Sequence, residues 1–98
     1  MELLSYPKEV REYLRSGVKK AVAVRTERPH SVIVKFENNV TKAYDMEPDL
    51  YGVLEFLKDY AAFEKAYIDE TNSIAWDDPH GNHIDTSADT VYIYGKSV

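Results

Sequence analysis

The spacing of apolar residues changes period once along this chain, and that change limits the folds open to it. Between residues 21 and 45 the pattern runs at period two. Val22 and Val24 fall on one face. Val32, Val34 and Phe36 share a face opposite Ile33, Lys35 and Glu37, and Val40 and Tyr44 fall together in the third run. Successive side chains of a strand point to opposite sides, so these runs read as three strands. Pro29-His30 marks the first turn and Asn38-Asn39 the second, since Asn tolerates positive φ. From Pro48 onward, Leu50, Val53, Leu54, Leu57 and Ala61 recur at helical spacing. The pattern predicts an antiparallel meander with one covered face and a helix that covers it.

The remaining segments are shorter. Gly52 is placed to divide a first turn from the main helix, and Asp59 to cap a second turn over residues 60–63. Residues 67–69 and 74–76 read as a hairpin closed by residues 70–73, and residues 77–83 as a polar loop holding Pro79 and Gly81. Residues 87–90 predict a short helical turn, with Val91, Tyr92 and Ile93 packing back. Residues 6–16 form an amphipathic helix, with Pro7 at its start and Gly17 past its end. Its stripe of Tyr6, Val10, Tyr13 and Leu14 is narrow, and predicts packing on the sheet within the monomer. The oligomeric state, monomer or homodimer, stays open. The expected fold class is α+β: an antiparallel β-meander and hairpin form a sheet of about five strands, packed by one main helix, with an accessory N-terminal helix. Residues 1–19 are the accessory segment and residues 20–98 the single α+β domain.

Ninety-eight residues leave room for one core only. The absence of Cys excludes disulfides, thiolate catalysis and cysteine zinc sites. No apolar run approaches the roughly 20 residues that span a bilayer. The N-terminus is charged and periodic rather than signal-like, so a cytoplasmic protein without a membrane partner is expected. The net charge of −5 is unevenly spread: residues 1–45 hold nine Lys/Arg against six Asp/Glu, and residues 46–98 hold three against eleven. An acidic half disfavours phosphate binding and suits a basic protein partner. Lys8, Arg11, Arg15, Lys19, Lys20, Arg25 and Arg28 are diluted by Glu9, Glu12 and Glu27, so nucleic acid is not expected as a partner.

Several pieces occur in a recognisable order: residues 36–39 and 44–46, the helical stretch with Asp59 and Phe63, Ile74-Ala75-Trp76, and residues 85–92. Together they resemble the small bacterial domain of unknown function 2442 family over roughly residues 20–94. Asn39 stands where that family commonly has Gly, and the loop after Trp76 is longer and richer in His and Asp than usual. The resemblance implies an α+β domain that stands alone or is joined to a helix-turn-helix, often beside a second small protein in toxin–antitoxin-like gene pairs. It therefore implies an interaction or regulatory role. The sequence ends four residues past Tyr94, so DNA binding through such an extension is expected to be absent. No catalytic residues are established for the family, and none is carried over.

Chemistry has few places to reside. There is no G-x-S-x-G elbow and no Gly-rich phosphate loop among four Gly, so a non-catalytic protein without a cofactor is expected. The expected interaction surface has Trp76 and Tyr92 as anchors and Asp77, Asp78 and Asp85 as charges. Trp76 also reads as core packing beside Ile74. Asp45, Asp85 and Asp89 read as capping or turn residues. The alternative is a small-ligand or divalent-metal site in the His/Asp loop, with His80, His83, Asp78 and Asp85 as ligands.

Overall fold

A computed structural model describes residues 7–98. The helix α1 (Lys8–Ser16) leads into three antiparallel strands, β1 (Ala21–Glu27), β2 (Ser31–Phe36) and β3 (Thr41–Asp45). Two 3₁₀ segments (Glu47–Asp49 and Gly52–Lys58) and a four-residue α2 (Tyr60–Phe63) follow. Then come β4 (Tyr67–Ile68), β5 (Ser73–Asp77), β6 (His83–Ser87), α3 (Ala88–Tyr94) and β7 (Lys96–Ser97). No helix among the described residues is long and apolar enough to cross a membrane.

The α+β class holds, but the expected single sheet of about five strands is two sheets. One has the order β1-β2-β3-β7 and the other β4-β5-β6. The polar stretch read as a loop runs into a real strand: His83 to Ser87 pair with Asp77 to Ser73. That strand completes a second sheet beside the meander. The short β7 closes the first sheet by pairing Lys96 with Ala43.

The meander follows its period-two pattern on β2. Val32, Val34 and Phe36 are fully buried against Met46, Leu57, Phe63, Ile74, Trp76 and Val91. Burying such side chains contributes about 1.5–3 kcal/mol each before conformational entropy is counted. The pattern fails on β1. The register shifts between Ala21 and Ala23, where the strand bulges. An inserted residue turns the side chains around it, so Val22 is exposed while Ala21 and Val24 pack on the core. The Asn38-Asn39 turn forms as expected, with Asn39 at φ 67° and the Asn38 side chain accepting from Val40 N at 3.2 Å.

The expected main helix is absent. Its helical spacing is carried by successive tight turns. Gly52 sits in the left-handed region at φ 59°, which interrupts any continuous helix. Asp59 then restarts one by accepting from Ala61 N at 3.1 Å. Leu50, Leu57 and Phe63 still reach the core, whereas Val53 is left 72% exposed. Asp45 closes the preceding turn through Glu47 N, as expected of a turn residue.

The accessory helix packs within the monomer, on α3 rather than on the sheet. Tyr13 is buried, lies 5.0 Å from the Tyr92 ring and donates to Asp89 at 2.6 Å. Burial and the Asp89 bond push the Tyr13 hydroxyl up to about 12. Tyr6, the first residue of the expected stripe, lies outside the described residues. Ser87 caps α3 by accepting from Asp89 N, so Asp89 itself is free to hold α1.

Candidate functional site

The three-stranded sheet has one wet face, and strand alternation decides which residues occupy it. On β5, Ile74 and Trp76 point into the core. Their neighbours Ser73, Ala75 and Asp77 therefore lie on the opposite side, where Ala75 is itself covered and Asp77 is exposed. Register carries the same side onto β6: Asp77 pairs with His83, Ala75 with Asp85 and Ser73 with Ser87. It carries it onto β4 as well, where Tyr67 pairs with Ala75. Tyr67, Asp77, His83 and Asp85 thus meet on a single open face, and Asp69 joins them from the turn after β4.

These side chains form one hydrogen-bonded chain. The Tyr67 hydroxyl donates to Asp77 Oδ1 at 2.8 Å. With its only proton so committed, it accepts from His83 Nδ1 at 3.1 Å. His83 Nε2 lies 2.8 Å from Asp69 Oδ2 and 3.4 Å from Asp85 Oδ2. Both ring nitrogens therefore have oxygen partners, an arrangement that favours the protonated ring. The Asp69 bond raises the His83 pKa above its usual 6.5, burial opposes this, and the charges of Asp69 and Asp85 add to the rise.

Asp69 is held more firmly than its neighbours. Its side chain is only 8% exposed. Its Oδ1 accepts from Thr71 N at 2.9 Å, Thr71 Oγ1 at 2.8 Å and Ser73 N at 2.9 Å. Burial raises a carboxyl, but the Ser73 and Thr71 bonds and the His83 bond overcome it and pull Asp69 down to about 2. One oxygen is spent on the turn and the other is aimed at His83.

The expected site residues are not all gathered here. Asp77, His83 and Asp85 are, and all three are exposed. Asp78 lies in the β5–β6 turn, where it accepts from His80 N at 2.9 Å, from Asn82 N at 2.8 Å and from the Asn82 side chain at 3.1 Å. Those bonds hold its carboxyl below the usual range, the Asn82 backbone bond first among them. The expected ligand set of His80, His83, Asp78 and Asp85 is not assembled. The side chains whose ligand atoms lie within 4.8 Å of one another are Asp69, His83 and Asp85. A rigid turn around Asp78 sets it and His80 apart, because both residues serve the loop rather than the sheet face.

Neither expected anchor reaches a surface beside these charges. Trp76 is 1% exposed, stacks 5.6 Å from Phe63 and donates its indole N–H to the Phe63 carbonyl at 2.8 Å. It is a core residue, as its place beside Ile74 allowed. Tyr92 lies edge-on to Phe36 and accepts from the Asn38 side chain at 3.0 Å, away from the three-stranded sheet. Sequence reasoning missed Asp69 and Tyr67. Their only signal was the hairpin, whose register brings Tyr67 opposite Ala75.

A second histidine is wired differently. His30 Nδ1 lies 3.0 Å from Glu47 Oε1, and Nε2 lies 2.8 Å from the Lys58 carbonyl. Both partners only accept, so both nitrogens carry protons. Burial works against the charged ring, but the Glu47 and Lys58 bonds outweigh it and raise its pKa. This ring ties the β1–β2 turn to the end of the second 3₁₀ segment and is structural.

Comparison of the chain with family models, curated proteins and solved structures finds no match.

Proposed function

We propose that the chain is a non-catalytic interaction or regulatory module that docks a basic protein through the wet face of its three-stranded sheet. Membership of the domain of unknown function 2442 family, with a partner encoded as in a toxin–antitoxin-like pair, belongs to the same proposal. The observation that carries it is the presence of exposed Asp77 and Asp85 on one open face with a 37% exposed Tyr67, with Asp69 largely covered behind them. Glu70 and Asp78 stand in the two adjoining turns. Tyr supplies contact area at low entropic cost, and like-signed charge around it steers a partner of opposite sign. His83, even when protonated, does not neutralise the face. Among the described residues no nucleophile with a base and an orienter sits in a cleft, which favours binding over chemistry.

Reversal of charge tests the reading. Asp77→Lys with Glu70→Lys changes the face by four charge units and leaves Asp78 holding its turn. The tagged chain should recover one basic protein from its host's lysate in near-equal amount at low salt. The double variant should lose that protein while keeping its melting temperature. Equal recovery by both forms would remove this face from the account.

A further inference from the structure

The geometry points to a divalent-cation site formed by Asp69 Oδ2, His83 Nε2 and Asp85 Oδ2, taking a borderline ion of the Zn²⁺ class. The site does not depend on the docking partner. It keeps His83 and Asp85 of the set that the sequence suggested and replaces His80 and Asp78 with Asp69.

Ligand spacing is the first argument. Metal bonds of about 2.0–2.2 Å at tetrahedral or octahedral angles leave neighbouring donor atoms about 2.8–3.5 Å apart. The two edges from His83 Nε2 are 2.8 Å to Asp69 and 3.4 Å to Asp85. The third edge, between the carboxylates, is within 4.8 Å. Asp85 is 44% exposed, so its carboxylate has room to turn toward the ion and close it.

The groups around the ligands also suit an ion. A ligating imidazole needs its other nitrogen committed as a donor, so that the coordinating lone pair has a fixed direction. His83 Nδ1 is committed to the Tyr67 oxygen, and Tyr67 in turn to Asp77. That leaves Nε2 directed between the two carboxylates. Asp69 has its own support, since Thr71 and Ser73 occupy Oδ1 and turn Oδ2 toward the ring. Two of the three ligands are therefore oriented by residues that would not touch the ion. Strand pairing and a turn fix their backbones, so the arrangement is largely built before any ion arrives.

The donor set names the class. Imidazole nitrogen suits Zn²⁺ and its neighbours in the first transition row, and two carboxylates add the negative charge that a dication needs. Three protein ligands leave the remaining positions to water or to a partner's side chain. Binding exchanges the Nε2 proton for the ion, and the proton leaves to solvent.

Calorimetric titration of the full chain with ZnCl₂ in metal-free buffer tests the site. One saturable ion per chain is expected. His83→Ala should abolish the heat, and Asp85→Asn should weaken binding at least tenfold. Tyr67→Phe removes an outer-shell partner and should weaken it about tenfold. His80→Ala should change nothing. Nitrogen-detected NMR of the His83 ring should show Nε2 shifting to a metal-bound value while Nδ1 keeps its proton, a readout that a merely structural ring would not give. Absence of saturable heat at millimolar Zn²⁺ would overturn the proposal. So would binding that survives His83→Ala or disappears with His80→Ala.

Discussion

The two sheets share one core but differ on their solvent sides. The four-stranded sheet turns Ala23, Ile33, Ala43 and Thr41 outward, ringed by Arg25, Lys35 and Lys96. Ile33 is only 4% exposed there, and the long basic side chains across from and beside it can screen it. The three-stranded sheet turns out Tyr67, Asp77, His83 and Asp85, joined by hydrogen bonds to one another and to Asp69. One outer face uses its charged residues to shield apolar surface. The other arranges them around a fixed ring. A small domain does not need the second arrangement in order to fold, which is why functional weight is placed on it.

The largest effect is expected from removing what both sheets share. Trp76 and Phe63 stack at the junction of the two, and the Trp76 indole N–H is satisfied by the Phe63 carbonyl. Trp76→Ala should cost about 3–5 kcal/mol. Urea unfolding should show both sheets lost in a single transition at lower midpoint, and a separate transition for each would mean that the core is not shared. Next in size is Gly95, where α3 turns into β7. A Cβ there would lie 2.5 Å from the Val91 carbonyl oxygen and 3.0 Å from that of Ala43. Both are backbone atoms that cannot move away, so Gly95→Ala should destabilise by about 1–3 kcal/mol. Hydrogen exchange should show faster opening at β3 and β7, with β4 to β6 unaffected.

A smaller effect separates the two histidines. His30 has a raised pKa, so its contribution is complete below the unfolded value near 6.5 and is lost as pH climbs through the higher folded value. The wild-type melting temperature should therefore fall across that window, and His30→Gln should flatten the fall. His83→Gln should leave the His30 part of the profile in place. An unchanged slope in His30→Gln would show that the ring is not the protonated strut its two acceptors require.

Legibility in the sequence followed the same division. The meander was readable because β2 alternates cleanly and Asn39 accepts the left-handed turn. Asp45 and Asp59 were readable as turn and cap residues because each acts within two residues of itself. The second sheet was hidden. His83 to Ser87 alternates polar and partly buried positions as a strand should, but it follows Asp, Pro, His, Gly and Asn, which together read as loop. Asp69 lies 14 residues from His83, and only register brings them to 2.8 Å. Asn72 takes φ 63° and accepts from Ala21 N at 2.8 Å, a contact across 51 residues that no local pattern announces. The helical spacing after Pro48 misled for a definable reason: turns broken at Gly52 and Asp59 can place the same residues inward as a helix does.

On the proposed function, the wet face of the three-stranded sheet, and not that of the four-stranded sheet, is the working surface. Paired charge reversals decide it most directly. Capture at low salt should be compared for wild type, for Asp77→Lys with Glu70→Lys, and for Arg25→Glu with Lys35→Glu, all at equal melting temperature. The account predicts that the stoichiometric basic partner is lost only in the first pair. Loss only in the second pair, or in neither, would contradict it.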